Sequence, residues 1–323
     1  MRVVFMGTPS FALPSLEKLL AHGHQVVGVV TRPDRPRGRG KKIQPPPVKE
    51  FALAHGLAIY QPLHVKESGF LDALGRLQPE VIIIVAFGQI IPLQIISLPP
   101  YGCINLHASL LPKYRGAAPI HRAVINGETK TGVTTMFINE KLDEGDILLQ
   151  ETIPIKEEDN AGTIHDRLAK QGADLLVKTL ALLAQGQLKP QPQDHGQATY
   201  APLLRGEDEI IDWSKSAQAI FNLTRGMDPW PGAKTTWDKK TLKIYRVKIN
   251  KPEINPEFYP LTALNPLPGQ VLTAAPDKGL LVQTGEGRVW IMELQAEGGK
   301  RLAAQDFLRG NPLSVNQRLG IKG

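Results

Sequence analysis

A single cysteine, Cys103, among 323 residues leaves no internal disulfide framework and suits a reducing compartment, so a cytoplasmic location is expected. With no second cysteine and no His-x-x-x-His pair, a zinc site is not expected, and no metal is assigned. The chain has no phosphate loop of the Gly-x-x-x-x-Gly-Lys type. Gly7-Thr8-Pro9, which follows the first apolar run, lacks the second and third glycines that let a backbone approach a pyrophosphate, and this argues against a nicotinamide cofactor. Met1 to Gly7 lacks the charged start, apolar run and cleavage site of a leader and reads as a first strand. Residues 81–100 carry no charge, but Gly88, Gln89, Pro92, Gln94, Pro99 and Pro100 interrupt them. The β-branched run 81–85 is typical of a strand buried on both faces, so no membrane span is expected.

The chain is long enough for two domains, and an apolar fraction of 42% supplies a core for each. Its net charge of +7 is unevenly placed. Residues 31–49 hold seven Lys/Arg against one acid, residues 209–323 hold sixteen against eleven, and the remainder nets −4. Two separated basic surfaces are the pattern expected of a protein that meets one polyanion. The first of them, residues 31–47, is too long and polar for an ordinary strand-to-helix turn, and its glycines and prolines predict irregular backbone. Arg35, Arg37, Arg39, Lys41 and Lys42 within it offer phosphate contacts, and RNA is the expected partner.

Periodicity predicts strands at 3–6, 26–30, 58–60 and 80–86 and helices at 13–23, 47–56 and 68–77. A helix at 118–125, strands at 131–138 and 147–154 and a long amphipathic helix at 163–184, capped by Asp159 to Thr163, follow. Residues 186–201, rich in Pro, Gln and Gly, read as a linker. Beyond it come a helix at 216–226 and five short strands at 235–238, 243–248, 269–273, 279–284 and 288–294. The expected architecture is α/β, a doubly wound, mostly parallel sheet followed by a small OB-like β-barrel. The domains are placed at 1–188 and 208–323 with a linker at 189–207. No long apolar stripe demands a partner subunit, so a monomer is expected.

The stretch Ile104-Asn105-Leu106-His107-Ala108-Ser109-Leu110-Leu111-Pro112-Lys113-Tyr114-Arg115-Gly116-Ala117-Ala118-Pro119-Ile120 puts an amide, an imidazole and a hydroxyl where a core wants none of them. An α/β sheet places its chemistry beyond the carboxyl ends of its strands, and this loop occupies such an end. Asn105 and His107 are two apart, so on extended chain both side chains point to one side. An amide donor beside an imidazole is the pair that polarises a carbonyl and holds the oxyanion of a tetrahedral intermediate. A second polar turn, Lys141-Leu142-Asp143-Glu144-Gly145-Asp146, follows a predicted strand. Asp143 can orient His107, raise its pKa by charge proximity, or take a proton through water from an attacking amine. Acyl transfer to nitrogen is the reaction class these residues suggest; spacing alone names no donor. Residues 87–92 form a turn whose exposed backbone and apolar side chains suit a flat heteroaromatic ligand.

Residues 104–120 resemble the signature loop of the folate-dependent formyltransferases, and 142–148 resemble the loop that supplies their catalytic aspartate. The resemblance implies a sheet domain that binds 10-formyltetrahydrofolate and a catalytic trio of Asn105, His107 and Asp143. It further implies folate contacts from Ser109, Leu110, Leu111 and Pro112, with Phe87, Gly88, Gln89 and Ile90 helping to form the pocket. Residues 33–48 resemble the insert that some members place against the acceptor end of a tRNA, and the basic C-terminal region resembles their tRNA-binding barrel. The implied reaction is attack of the α-amine of methionine, esterified to initiator methionyl-tRNA, on the formyl carbon. Asn105 and protonated His107 would stabilise the oxyanion, and Asp143 would assist proton removal. The alternative is formylation of a small amine such as a sugar nucleotide or glycinamide ribonucleotide, which has less use for two basic surfaces. A non-catalytic RNA-binding protein and a formyl-folate hydrolase are further alternatives.

Overall fold

The computed structural model describes residues 1–37, 40, 42–250 and 266–320. In chain order the first elements are β1 (Arg2–Gly7), α1 (Leu13–Ala21), β2 (Gln25–Val30), β3 (Arg35–Arg37), β4 (Lys42–Gln44), α2 (Pro47–Ala54), β5 (Ile59–Tyr60), α3 (Ser68–Arg76) and β6 (Val81–Val85). There follow α4 (Leu93–Ile96), β7 (Cys103–His107), α5 (Pro119–Ile125), β8 (Lys130–Phe137), β9 (Ile147–Pro154) and α6 (Ala161–Ala184). The C-terminal part contains α7 (Ala217–Gly226), β10 (Ala233–Trp237), β11 (Lys240–Ile249), β12 (Val271–Ala275), β13 (Gly279–Gln283), β14 (Arg288–Ala296), β15 (Leu302–Ala303) and α8 (Ala304–Gly310).

One compact unit comprises residues 1–119, 130–154 and 164–203. Its seven-stranded sheet runs β5-β2-β1-β6-β7-β8-β9. The pairings are parallel as far as β7, while β7–β8 and β8–β9 are antiparallel. Val3 to Met6 and Val81 to Val85 are buried without polar interruption, because a strand covered on both faces has no solvent side to which a polar residue could be assigned. On one face Leu106 packs against Gly172 of α6, so closely that a Cβ there would sit 2.7 Å from the leucine. On the other, Ile82, Ile84 and Cys103 join Phe70, Leu74 and Ile95 from α3 and α4. Asn160 caps α6 as expected, its Oδ1 accepting from the Thr163 amide at 2.8 Å.

The basic insert departs from the expectation of irregular backbone. Arg35–Arg37 pairs antiparallel with Lys42–Gln44, Pro36 opposite Ile43. A two-stranded ribbon consists of two edges, where the missing N–H of Pro36 is tolerated. The expected linker also differs in part. Gln191 exchanges both backbone hydrogen bonds with Ile147, at 2.8 and 2.9 Å, Gln193 is buried, and the segment through Leu203 belongs to the sheet unit. Backbone pairing and amide hydrogen bonds dock it, and these leave no apolar period in the sequence.

The second unit comprises residues 120–129, 155–163 and 204–323, so it takes in two segments from within the region expected to form the first domain. Its antiparallel sheet runs β10-β11-β14-β13-β12, with β15 against β14. All five expected strands are present, and β15 and α8 are additional. Ile220, Leu242, Ile244, Val282, Ile291 and Phe307 form the centre of its core. Arg122 makes a bidentate pair with Asp208 at 2.9 and 2.8 Å, which holds that carboxyl below the usual carboxylate range.

Candidate active site

Asn105 and His107 lie on β7 in register with Met136 and Thr134 of β8. Leu106 faces α6, so the period of two turns Asn105 and His107 to the opposite face. The Asn105 amide makes no side-chain hydrogen bond among the described residues and is half-buried, whereas His107 is buried. The His107 ring is anchored through Nε2, 2.9 Å from the carbonyl of Tyr114. A carbonyl only accepts, so Nε2 carries a proton, and the ring can donate from Nδ1 only when doubly protonated. Nδ1 faces Asp143 Oδ2 at 3.8 Å. The same carboxylate oxygen accepts from the Gly116 amide at 2.8 Å. The three residues expected to act together thus lie in one place.

Strand direction makes this less simple than the sequence suggested. Because β8 is antiparallel to β7, Phe137 at its end lies opposite Ile104, and the following loop starts beside the beginning of β7. That loop folds back over the sheet to bring Asp143 to His107. Asp143 takes a left-handed conformation with φ of 51°. Gly145 closes the turn where a Cβ would meet the Phe137 carbonyl oxygen at 1.8 Å, so no other residue fits without moving backbone.

Ser109 and Leu111 are buried in the loop after β7, with Leu110 and Pro112 partly exposed. The Thr134 hydroxyl organises this loop, donating to the Ser109 carbonyl at 2.7 Å and accepting from the Leu111 amide at 3.2 Å and Gln150 Nε2 at 2.9 Å. Gln150 Nε2 also donates to the Leu111 carbonyl at 2.9 Å. After β6, Phe87 is in the core and its carbonyl accepts from Thr8 Oγ1 at 3.3 Å. The Gly88 carbonyl accepts from the Arg32 guanidinium, and Gln89 Oε1 accepts from the Val65 amide at 3.2 Å. Of these four, Ile90 alone lines the adjoining open cleft of about 390 Å³, with Lys66, Leu71, Pro92, Leu93 and Glu140 among the other walls. Ile90 is 81% exposed there.

The basic insert leaves β2, and β2 is parallel to β1 and β1 to β6, so it emerges at the sheet end that carries the 86–92 loop. Asp34 anchors its base, accepting from Gln61 at 2.9 Å and from Lys49 at 2.8 and 2.7 Å; these two partners hold its carboxyl below the usual range. Arg35 and Lys42 are exposed on the ribbon and Arg37 is paired with Lys42 in register, while Arg39 and Lys41 lie outside the described residues. Sequence reasoning missed Thr134, Gln150, Arg115 and Gln193. Arg115 stands inside the loop that drew attention, yet nothing local marks it as a guanidinium only 1% exposed.

A sheet unit with these loops at its strand ends, followed by an antiparallel unit, matches the formyl transferase model over residues 1–180 and the formyl transferase C-terminal domain model over 203–312. The chain therefore belongs to the formyl transferase family. Within it, the chain is 54% identical over 320 residues to the methionyl-tRNA formyltransferase of Pelotomaculum thermopropionicum and 51% identical to that of Moorella thermoacetica, with 99% of each chain covered in both cases. Solved structures share the fold at lower identity. HypX from Aquifex aeolicus in complex with tetrahydrofolic acid aligns at TM-score 0.65 and 18% identity over 95% of this chain and 47% of that one. WlaRD, a sugar 3N-formyl transferase, aligns at 0.63 and 20% over 92% and 97%. Among the described residues, no helix is long and apolar enough to cross a membrane.

Proposed function

We propose that the chain transfers the formyl group of 10-formyltetrahydrofolate to the α-amine of methionine on initiator methionyl-tRNA, acting as a monomer in the cytoplasm. Identity to the named relatives across the whole chain supports the substrate pair. The observation that carries the chemistry is the orientation of His107. With Nε2 held by the Tyr114 carbonyl, Nδ1 is the nitrogen turned toward Asp143, 3.8 Å away, on the same face as the Asn105 amide.

The α-amine adds to the formyl carbon, and negative charge develops on the formyl oxygen. The Asn105 amide and the doubly protonated His107 ring donate to that oxygen. Asp143 takes the proton lost by the amine, and as the carbonyl reforms the C–N bond to tetrahydrofolate breaks, that proton passing to the departing nitrogen so that tetrahydrofolate leaves as the amine. The loop Ser109, Leu110, Leu111 and Pro112 and the turn Phe87, Gly88, Gln89 and Ile90 form the folate side of the site. Arg35, Arg37, Arg39, Lys41 and Lys42 meet tRNA phosphates.

The test is incubation with 10-formyltetrahydrofolate and either methionyl initiator tRNA or free methionine, following formyl-methionine by mass. Formylation of the charged tRNA alone is the expected result. No product from tRNA, with folate still bound, overturns the acceptor and directs the search to small amines. Formate released without an acceptor identifies a hydrolase.

A further inference from the structure

Next to Asp143 lies a polar cluster, built around a buried cation, that the transfer chemistry does not use. The Arg115 guanidinium, 1% exposed, pairs through Nη1 with Glu144 Oε1 at 3.1 Å. Its Nε and Nη2 donate to Gln193 Oε1 at 3.1 and 2.8 Å, and Nη2 also lies 3.2 Å from His195 Nδ1. Gln193, itself buried, then spends its amide on the catalytic turn. Nε2 donates to the carbonyls of Asp143 and Gly145, both at 2.8 Å. The Arg115 backbone is fixed on both sides, its amide donating to the Thr199 carbonyl at 2.8 Å and its carbonyl accepting from Ala201 at 2.7 Å. The next amide, of Gly116, holds Asp143 Oδ2.

We propose that Arg115 and Gln193 are positioning residues for Asp143. Three facts converge on this. Asp143 sits in the left-handed region with φ of 51°, and Gln193 ties down its carbonyl together with that of Gly145, which fixes the backbone on the C-terminal side of that residue. Docking a loop needs no buried charge, since apolar residues of like volume do it as well or better; a buried, fully hydrogen-bonded cation fixes direction instead. The cluster grips Asp143 from its backbone side through Gln193 and from its carboxylate side through the amide that follows Arg115, so it sets both the turn and the carboxylate.

The inference rests on the role assigned to Asp143 above, and the test separates the two. In the full chain, Gln193→Met keeps the volume and removes both donors. Its kcat is expected to fall about 10- to 100-fold, the scale of an ångström's misplacement, with both KM values within about twofold and folate binding retained. On an Asp143→Asn background, Gln193→Met is expected to cost nothing further, because residues acting through one group are not additive. Gln193→Glu is the second variant. It keeps the acceptor for Arg115 but turns an oxygen toward two carbonyls, and the same kcat loss is expected. Unchanged kcat in Gln193→Met, or a loss that multiplies that of Asp143→Asn, overturns the proposal while leaving the active site intact. Loss of folate binding in both Gln193 variants assigns the cluster to fold maintenance and overturns it as well. Full activity of Asp143→Asn instead overturns the active-site reading itself.

Discussion

Replacing Asn105 by alanine separates catalysis from stability at a single position. The amide is half-buried and has no side-chain hydrogen-bond partner among the described residues, so its removal orphans no buried donor or acceptor. The stability change is therefore expected to stay within about 1 kcal/mol, a shift of about 2–4 °C in Tm for a chain of this size. The donor matters only where negative charge develops. Removing one such donor costs about 10²–10³ in kcat, equivalent to about 2.7–4 kcal/mol of transition-state stabilisation. Single-turnover formylation of methionyl initiator tRNA at saturating folate reads that step directly, and folate binding measured on the same preparation is expected to be unchanged. A kcat within about threefold of the parent refutes the reasoning, because a group donating to the oxyanion cannot be removed at so small a cost. A large fall in Tm with the loss of activity also refutes it, since it would show that the amide holds the fold.

The remaining expectations address the parts around the trio. Thr134→Val leaves the Leu111 amide without its bond, at a cost of about 1–3 kcal/mol, and thermal melting should show a fall of several degrees together with a raised KM for the folate; an unaltered melt refutes the role given to the hydroxyl. Burial pushes the Cys103 thiol up to about 12. The reactive thiolate is then about one part in 10⁴ near pH 8, so a thiol reagent should titrate nothing in the native chain and one group in denaturant. Because Asp208 is held below the usual carboxylate range by Arg122, the stability it adds is present above the ordinary Asp pKa and is lost as pH falls through its lowered value. Asp208→Asn should therefore flatten the acid end of the stability curve, and an unchanged acid limb counts against the pair. Alanine at both Arg35 and Lys42 should weaken tRNA binding and reduce the slope of log K against log salt by about 1.5, while transfer at saturating tRNA is kept; an unchanged slope removes the ribbon from the interface.

Much of the frame was legible in local pattern. A run such as Val81 to Val85 can satisfy burial only as a strand with both faces covered, and α6 carries its apolar stripe and its Asn160 cap within one stretch of chain. Asn105 and His107 could be placed on one face because a strand has a period of two. Local pattern also singled out the two polar loops that the structure brings together, and it located the strand-rich C-terminal region by its turns.

What it could not supply is whatever depends on direction or on partners far along the chain. Periodicity is blind to whether a strand runs up or down, so the antiparallel β8 and the return of its loop over the sheet were settled by packing. The pairing of Arg35–Arg37 with Lys42–Gln44 comes from backbone hydrogen bonds, which arginines and prolines do not announce. Arg115 and Gln193 are 78 residues apart, in a loop and in a stretch that composition marks as linker. By itself the sequence determined that a strand end and a polar turn carry an amide, an imidazole and a carboxylate, since side-chain chemistry and strand period are properties of the chain. Only the tertiary structure decided which nitrogen of His107 faces Asp143 and what holds Asp143 there, since both follow from carbonyl and amide groups that every residue carries and that gain meaning only once the chain has folded.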